Sequence, residues 1–313
     1  MSLDKKFEDI FLKITTRAAL SSYYQVGKKN KILADKVAVD TMRSELNKID
    51  MDGEIVIGEG ELDHAPMLYI GEKLGSKKGP KLDIAVDPVE GTNFAAYNLP
   101  GALSVMAVAE KSNLFKAPET YMSKISANVP DQGIVDLDYS IERNIKNLSE
   151  YKNIKPENLR VCLLERPRHK EIIQKLLKMK VKLKLISDGD VSGALLVTNK
   201  KYKVDLFLGI GGGPEGVLAA SALDSFNCFF QGRFLFKDNK DKQRAKEMGI
   251  KNFEKKYELN EIVSGDSIFC ATGITNGDLV TGIDIKNGNF ISETLITHKS
   301  SGLKKNIKIT QKI

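Results

Sequence analysis

From residue 159 onward the chain alternates short apolar runs with helical stretches, and no other feature limits its possible folds so much. Apolar runs at 159–164, 181–186 and 204–210 are separated by a helix opened by Pro167 and a helical segment over 190–199. That order calls for parallel strands joined by helical crossovers, an α/β arrangement. The glycine-rich turn 211–214 then opens another helix, carrying Val217, Leu218, Ala219 and Leu223. Upstream, Phe7, Ile10, Phe11, Ile14 and Ala18 recur at helical spacing, as do Ile32, Leu33, Val37, Met42 and Leu46, which predicts helices over 4–24 and 29–48. Between 266 and 308, short strand-like runs are punctuated by Thr-Gly and Asn-Gly, which favour hairpins. No internal repeat or low-complexity segment occurs, and the lysine-rich end is expected to fray. A length of 313 residues suits two packed lobes. The expected division is 1–160 and 161–313.

Two of the apolar runs end in acids. Residues 55–57 meet Gly58-Glu59-Gly60-Glu61, and residues 84–86 meet Asp87-Pro88. Proline cannot continue a hydrogen-bonded ladder, so Asp87 is expected at the C-terminal edge of a sheet, where α/β proteins bind ligands. Gly91 eases a turn that lets Glu90 and the Thr92 hydroxyl approach Asp87, and Glu59 can join them. Packed carboxylates repel unless cations neutralise them, and an all-oxygen set selects hard ions such as Mg²⁺ or Mn²⁺ over zinc. Two such ions can activate water against a phosphate ester. Taken singly, each acid reads more readily as part of a solvated loop or an ordinary strand end than as a ligand. Their conjunction is what points to chemistry.

The segments Gly58-Glu59-Gly60-Glu61-Leu62-Asp63, Ala65-Pro66-Met67-Leu68-Tyr69 and Asp87-Pro88-Val89-Glu90-Gly91-Thr92-Asn93 resemble the signatures of class II fructose-1,6-bisphosphatases. The resemblance runs from Lys31 to about Gly282, with two long motifs in order. It implies a layered αβαβα architecture like that of the lithium-sensitive sugar phosphatases, with the active site in the cleft between two lobes. The N-terminal lobe would carry most of the metal ligands; the C-terminal lobe would carry the substrate-binding segments and one ligand. The implied reaction is hydrolysis of the 1-phosphate of fructose 1,6-bisphosphate to fructose 6-phosphate, as in gluconeogenesis, with sedoheptulose 1,7-bisphosphate as an alternative substrate. It also implies Asp35, Glu59, Asp87, Glu90 and Glu215 as ligands of two or more Mn²⁺ or Mg²⁺ ions. Thr92 and Asp63 would orient or deprotonate the attacking water, with Lys31 nearby. Without the resemblance, Asp35 reads as a surface ion pair with Lys31 one helical turn away. Phe94-Ala95-Ala96 departs from the family's usual continuation after the threonine.

The run Gly211-Gly212-Gly213-Pro214-Glu215-Gly216 satisfies the dinucleotide pattern G-x-G-x-x-G, but Glu215 would set a carboxylate beside the pyrophosphate. In the first turn of a helix the same acid is favoured by the dipole as a metal ligand. A plain tight turn is the remaining reading. Arg166-Pro167-Arg168 sets cations and free N–H groups at a helix start, suited to a phosphate, or else to solvent. Asp188-Gly189-Asp190 suits sugar hydroxyls, or a turn and N-cap. The resemblance implies that Glu90, Gly91, Thr92, Tyr121, Arg166, Pro167, Arg168, Asp188, Gly189, Asp190 and Gly212 contact the substrate. His64, His169 and His298 lack metal-ligand spacing and read as surface or packing residues.

Lysine and arginine total 48 against 41 acids, a net charge of +7, yet the cations are interspersed with acids and aromatics are only 7%. That pattern describes a solvated surface and argues against nucleic acid as the partner. Cys162, Cys228 and Cys270 are widely spaced, so no disulfide framework is expected and a reducing, cytoplasmic setting follows. No apolar run approaches the roughly 20 residues of a membrane span. The expected partner is a small sugar bisphosphate, and the resemblance suggests a homo-oligomer. Competing functions are an inositol phosphatase or bisphosphate nucleotidase, a polyanion-binding module and a dinucleotide-dependent dehydrogenase.

Overall fold

A computed structural model describes residues 3–58, 67–130 and 133–313. Among these residues the chain forms fourteen strands and nine α-helices, numbered here in chain order. They fall into two compact units, residues 1–116 with 263–313, and residues 117–262. This differs from the expected division at residue 160. Residues 263–313 return to the first sheet as strands, so the first unit is discontinuous in sequence and a single cut cannot separate the two.

In the first unit, helices α1 (Lys6–Tyr23) and α2 (Lys31–Leu46) form where the apolar spacing places them, and Asn30 caps α2 by accepting from the Leu33 N–H at 3.0 Å. Strands β1 (Asp52–Ile57), β2 (Lys73–Leu74), β3 (Lys81–Glu90), β4 (Leu103–Glu110) and β11 (Ser267–Gly273) join one sheet with β12 (Asp284–Lys286), β13 (Asn289–His298) and β14 (Leu303–Lys312). β1 and β3 are parallel, whereas β4 and β11 pair antiparallel with their neighbours. Phe7, Phe11, Met42, Leu46, Ile55, Ile84, Met106 and Ile268 are buried together in a core between the helices and the sheet.

Two expectations are corrected here. The strand does not stop at Asp87: β3 runs on to Glu90, and Pro88 lies in a bulge where Asp87 faces Val105 and Glu90 faces Leu103. The missing proline N–H is tolerated because the ladder is already interrupted at an extra residue. Nor is the lysine-rich end loose. β14 pairs with β13 over ten residues, from Asn289 opposite Lys312 to His298 opposite Leu303. Leu303, Ile307 and Ile309 pack against the core, and Lys304, Lys305 and Lys308 punctuate the other positions, a composition that discourages edge-to-edge association. The expected hairpins do form: Asn287 and Gly288 both take positive φ in the two-residue turn joining β12 to β13.

In the second unit, the sheet has the order β10 (Tyr257–Glu258), β9 (Phe229–Leu235), β5 (Tyr121–Ala127), β8 (Leu206–Gly212), β6 (Arg160–Leu164), β7 (Lys182–Ile186). β6 is parallel to both β7 and β8, as the alternation of runs and helices predicts. α4 (Ile141–Lys152), α5 (Lys170–Lys178), α6 (Asp190–Leu195), α7 (Gly213–Ser225), α8 (Asn239–Glu247) and α9 (Leu259–Ile262) complete the unit. Ile125, Leu148, Val161, Leu163, Leu176 and Leu206 are among its buried core residues.

Candidate active site

The first unit supplies the N-terminal acids. Asp35 is buried on the face of α2 shared with Ala34, Ala38, Val39 and Met42, while Lys31 at the helix start is exposed. The burial of Asp35 does not fit a surface ion pair. α2 packs against both β3 and α3 (Thr92–Tyr97). β3 carries half-buried Asp87 and buried Glu90 at its bulged end, and α3 begins at half-buried Thr92. The tight passage from strand to helix is made by Gly91, whose φ of 77° lies in the left-handed region. Glu59 and Asp63 lie outside the described residues, as does His64. Among the described residues, no three His, Cys, Asp or Glu side chains are grouped as a metal-binding cluster. The oxygen-only donor set and the burial of Asp35 and Glu90 nevertheless suit a hard divalent cation better than zinc or copper.

The second unit supplies the other candidates. Lys124, in the middle of β5, is only 1% exposed. Its Nζ donates to Asp190 Oδ2, and also to the Gly212 carbonyl at 2.6 Å. Asp190 is the first residue of α6 and follows Gly189 in the left-handed region, so it is not the N-cap. Glu215 lies in the first turn of α7 and is half-buried. Burial, and then the Asp190 carboxylate, push the Glu215 carboxyl up to about 7, with Lys124 pulling the other way. Sequence reading missed Lys124. Its signal was a lysine between Met122 and Ser126 on one strand face, since a lysine is almost never fully buried unless paired.

Arg166 and Arg168 flank Pro167, which opens a 3₁₀ turn running into α5. Arg166 pairs with Asp188 at 3.5 Å, both partly exposed. The Arg168 guanidinium donates to the Ile210 carbonyl at 3.0 and 2.7 Å and lies 4.7 Å from the centre of the exposed Tyr121 ring. His169 holds the preceding peptide, through the N–H of the same residue. Fully buried, it bonds through Nδ1 to the Leu164 carbonyl at 2.6 Å and accepts the Ile210 N–H on Nε2 at 2.7 Å. That pattern needs the neutral ring, and burial pushes its pKa below the usual histidine range. His169 is thus a packing residue that joins β6 to β8 just beyond their two paired positions. His169→Phe is expected to orphan the buried Leu164 carbonyl, at about 1–3 kcal/mol, and to leave the half-buried Ile210 N–H without its acceptor. A lowered urea midpoint at pH 7.5 is the check.

Residues 6–311 match the family described as "Bacterial fructose-1,6-bisphosphatase, glpX-encoded". The chain belongs to that family. It is accordingly a phosphoric monoester hydrolase that acts on fructose 1,6-bisphosphate. A relative from Synechocystis, named D-fructose 1,6-bisphosphatase class 2/sedoheptulose 1,7-bisphosphatase, is 39% identical over 93% of this chain and 91% of its own length. A Synechococcus relative of the same name is 37% identical over 96% and 93%. Overlaps with two solved structures are too loose to bear on the fold: an extragenic suppressor from Pyrococcus furiosus at 13% identity (TM-score 0.32; 64% of this chain, 70% of that one), and the suhB protein of Bartonella henselae at 9% (0.37; 63% and 73%). A divalent-metal requirement accords with the family and with the donors. Among the described residues no helix is long and apolar enough to cross a membrane.

Proposed function

We propose that the chain hydrolyses the 1-phosphate of fructose 1,6-bisphosphate to fructose 6-phosphate and inorganic phosphate, by direct attack of water. The observation that carries the site assignment is the burial of two carboxylates, Asp35 and Glu90, on elements that pack together. Asp35, Glu59, Asp87, Glu90 and Glu215 are proposed to hold two or more Mg²⁺ or Mn²⁺ ions. When bound, such ions polarise the phosphoryl group and lower the pKa of water. The Thr92 hydroxyl, paired with Asp63, takes the proton of the attacking water as it passes its own to the Asp63 carboxylate, with Lys31 nearby. The water oxygen forms the new bond to phosphorus as the bond from phosphorus to the sugar O1 breaks; O1 leaves with the bonding pair and takes a proton from solvent, and no covalent enzyme intermediate forms. Glu90, Gly91 and Thr92 contact the reacting end.

Tyr121, Arg166, Pro167, Arg168, Asp188, Gly189, Asp190 and Gly212 are proposed to hold the sugar and its second phosphate. Binding energy from that remote phosphate orients the reacting one. Sedoheptulose 1,7-bisphosphate is a second substrate on this reading, supported by the double name of the relatives. A gluconeogenic role, a cytoplasmic setting and a homo-oligomer belong to the same proposal; the setting accords with three buried cysteines, none of them in a disulfide. The test is phosphate release from both bisphosphates with Mg²⁺ or Mn²⁺. Turnover is expected to vanish on chelation and return when the ion is restored. Absence of release with every divalent ion would overturn the assignment.

A further inference from the structure

Lys124 is the most deeply buried cation of the second unit, and the proposed reaction leaves it without a role. An ion pair inside a protein gives up hydration for both charges, so its net stabilisation is small and an apolar pair of similar volume often serves equally well. Where such a pair sits is therefore informative. The ammonium joins the two groups that the proposed function sets against the sugar: the Asp190 carboxylate, at the start of α6, and the Gly212 carbonyl, where β8 passes into α7.

The glycine-rich turn is shaped around this lysine. A Cβ on Gly211 would overlap the Asp190 carboxylate and come within 3.2 Å of Lys124 Nζ. A Cβ on Gly216 would press 2.6 Å from Met122 Sδ and 3.3 Å from the Lys124 stem. On Gly212 a Cβ would overlap the Glu215 carboxylate. Three glycines of a run that superficially matches a dinucleotide fingerprint thus make room for two carboxylates and one lysine, with no pyrophosphate required. Sterics and charge agree on the same small assembly.

We infer that Lys124 is a positioning residue for substrate recognition: its ammonium holds the Asp190 side chain in one rotamer beside the Gly212 carbonyl, so that the remaining carboxylate oxygen is fixed for a sugar hydroxyl. The inference rests on the proposed role of Asp190 as a sugar contact. An acceptor already fixed in place loses less freedom when the sugar arrives, so the effect belongs in KM more than in kcat.

The experiment compares wild type, Asp190→Asn, Lys124→Met and the double variant by steady-state phosphate release from fructose 1,6-bisphosphate. Lys124→Met is expected to raise KM about tenfold or more, in line with loss of a hydrogen bond to a charged group, with a smaller change in kcat. The double variant should match Asp190→Asn alone, because each change disables the same acceptor. If the unpaired carboxylate keeps Lys124→Met from folding, the double variant buries no charge and still decides: a KM equal to that of Asp190→Asn supports the inference, and a further rise overturns it. An unchanged KM in Lys124→Met overturns the inference and leaves the sugar contact standing. An unchanged KM in Asp190→Asn overturns both.

Discussion

Glu90→Gln is expected to lower kcat/KM for fructose 1,6-bisphosphate by more than about a hundredfold, exceeding what is typical for a group that only supports a metal ligand. The substitution keeps the side chain's shape and removes one negative charge from a buried position at the end of β3. Its backbone environment, with the bulge at Pro88 on one side and left-handed Gly91 on the other, is unaffected by the change. The thermal midpoint should therefore stay within a few degrees of wild type while turnover collapses. Isothermal titration with Mn²⁺ gives the independent readout, and a variant that binds the ion as wild type does would remove Glu90 from the ligand set.

The second large effect concerns stability. His298, at the end of β13, is fully buried between two acids, with Nδ1 2.5 Å from Glu8 Oε1 and Nε2 3.0 Å from Asp266 Oδ2. Ser301 donates to Glu8, and the Ser300 and Leu3 N–H groups donate to Asp266, so this cluster ties the start of α1 to the β13–β14 hairpin. Replacing His298 with leucine leaves two carboxylates without their shared partner, a change expected to cost about 3–5 kcal/mol. Burial alone would raise both carboxyls. For Glu8, the Ser301 and His298 hydrogen bonds outweigh it, and for Asp266 those from Ser300, Leu3 and His298 do, so both lie below the usual range.

A lowered folded-state pKa makes the sign definite. The contribution is fully present above the unfolded carboxylate values, near pH 4 to 4.5, and is lost as pH falls through the lower folded ones. Wild type should thus lose stability steeply in acid. Asp266→Asn should be less stable than wild type at neutral pH and flatter on the acid side, as acid and urea titrations followed by circular dichroism will show. An equal slope in the two proteins would refute the account.

Much of this architecture could be read from residue order, because helical and strand spacings are local. Phe7, Phe11 and Ile14 mark α1, and the runs separated by Pro167 mark the parallel strands β6, β7 and β8. What escaped was set by distant partners. Pro88 looks like a strand terminator until the extra residue between Asp87 and Glu90 is known. The lysines of β14 hide a period-two pattern in Leu303, Ile307 and Ile309 that becomes meaningful only beside β13. Within the site, Asp35 looks like an exposed acid until α2 is packed. Lys124 shows its partners only when β5, α6 and α7 meet.

The interrupted first unit has a consequence for synthesis. Residues 117–262 leave the ribosome as a contiguous segment able to collapse on their own core, whereas the sheet behind Asp87 and Glu90 waits for strands drawn from 263–313. During translation the earliest-made part of the protein is thus the last to be finished. A premature stop codon in the final strands would spare every acid assigned to chemistry and still leave their supporting sheet incomplete.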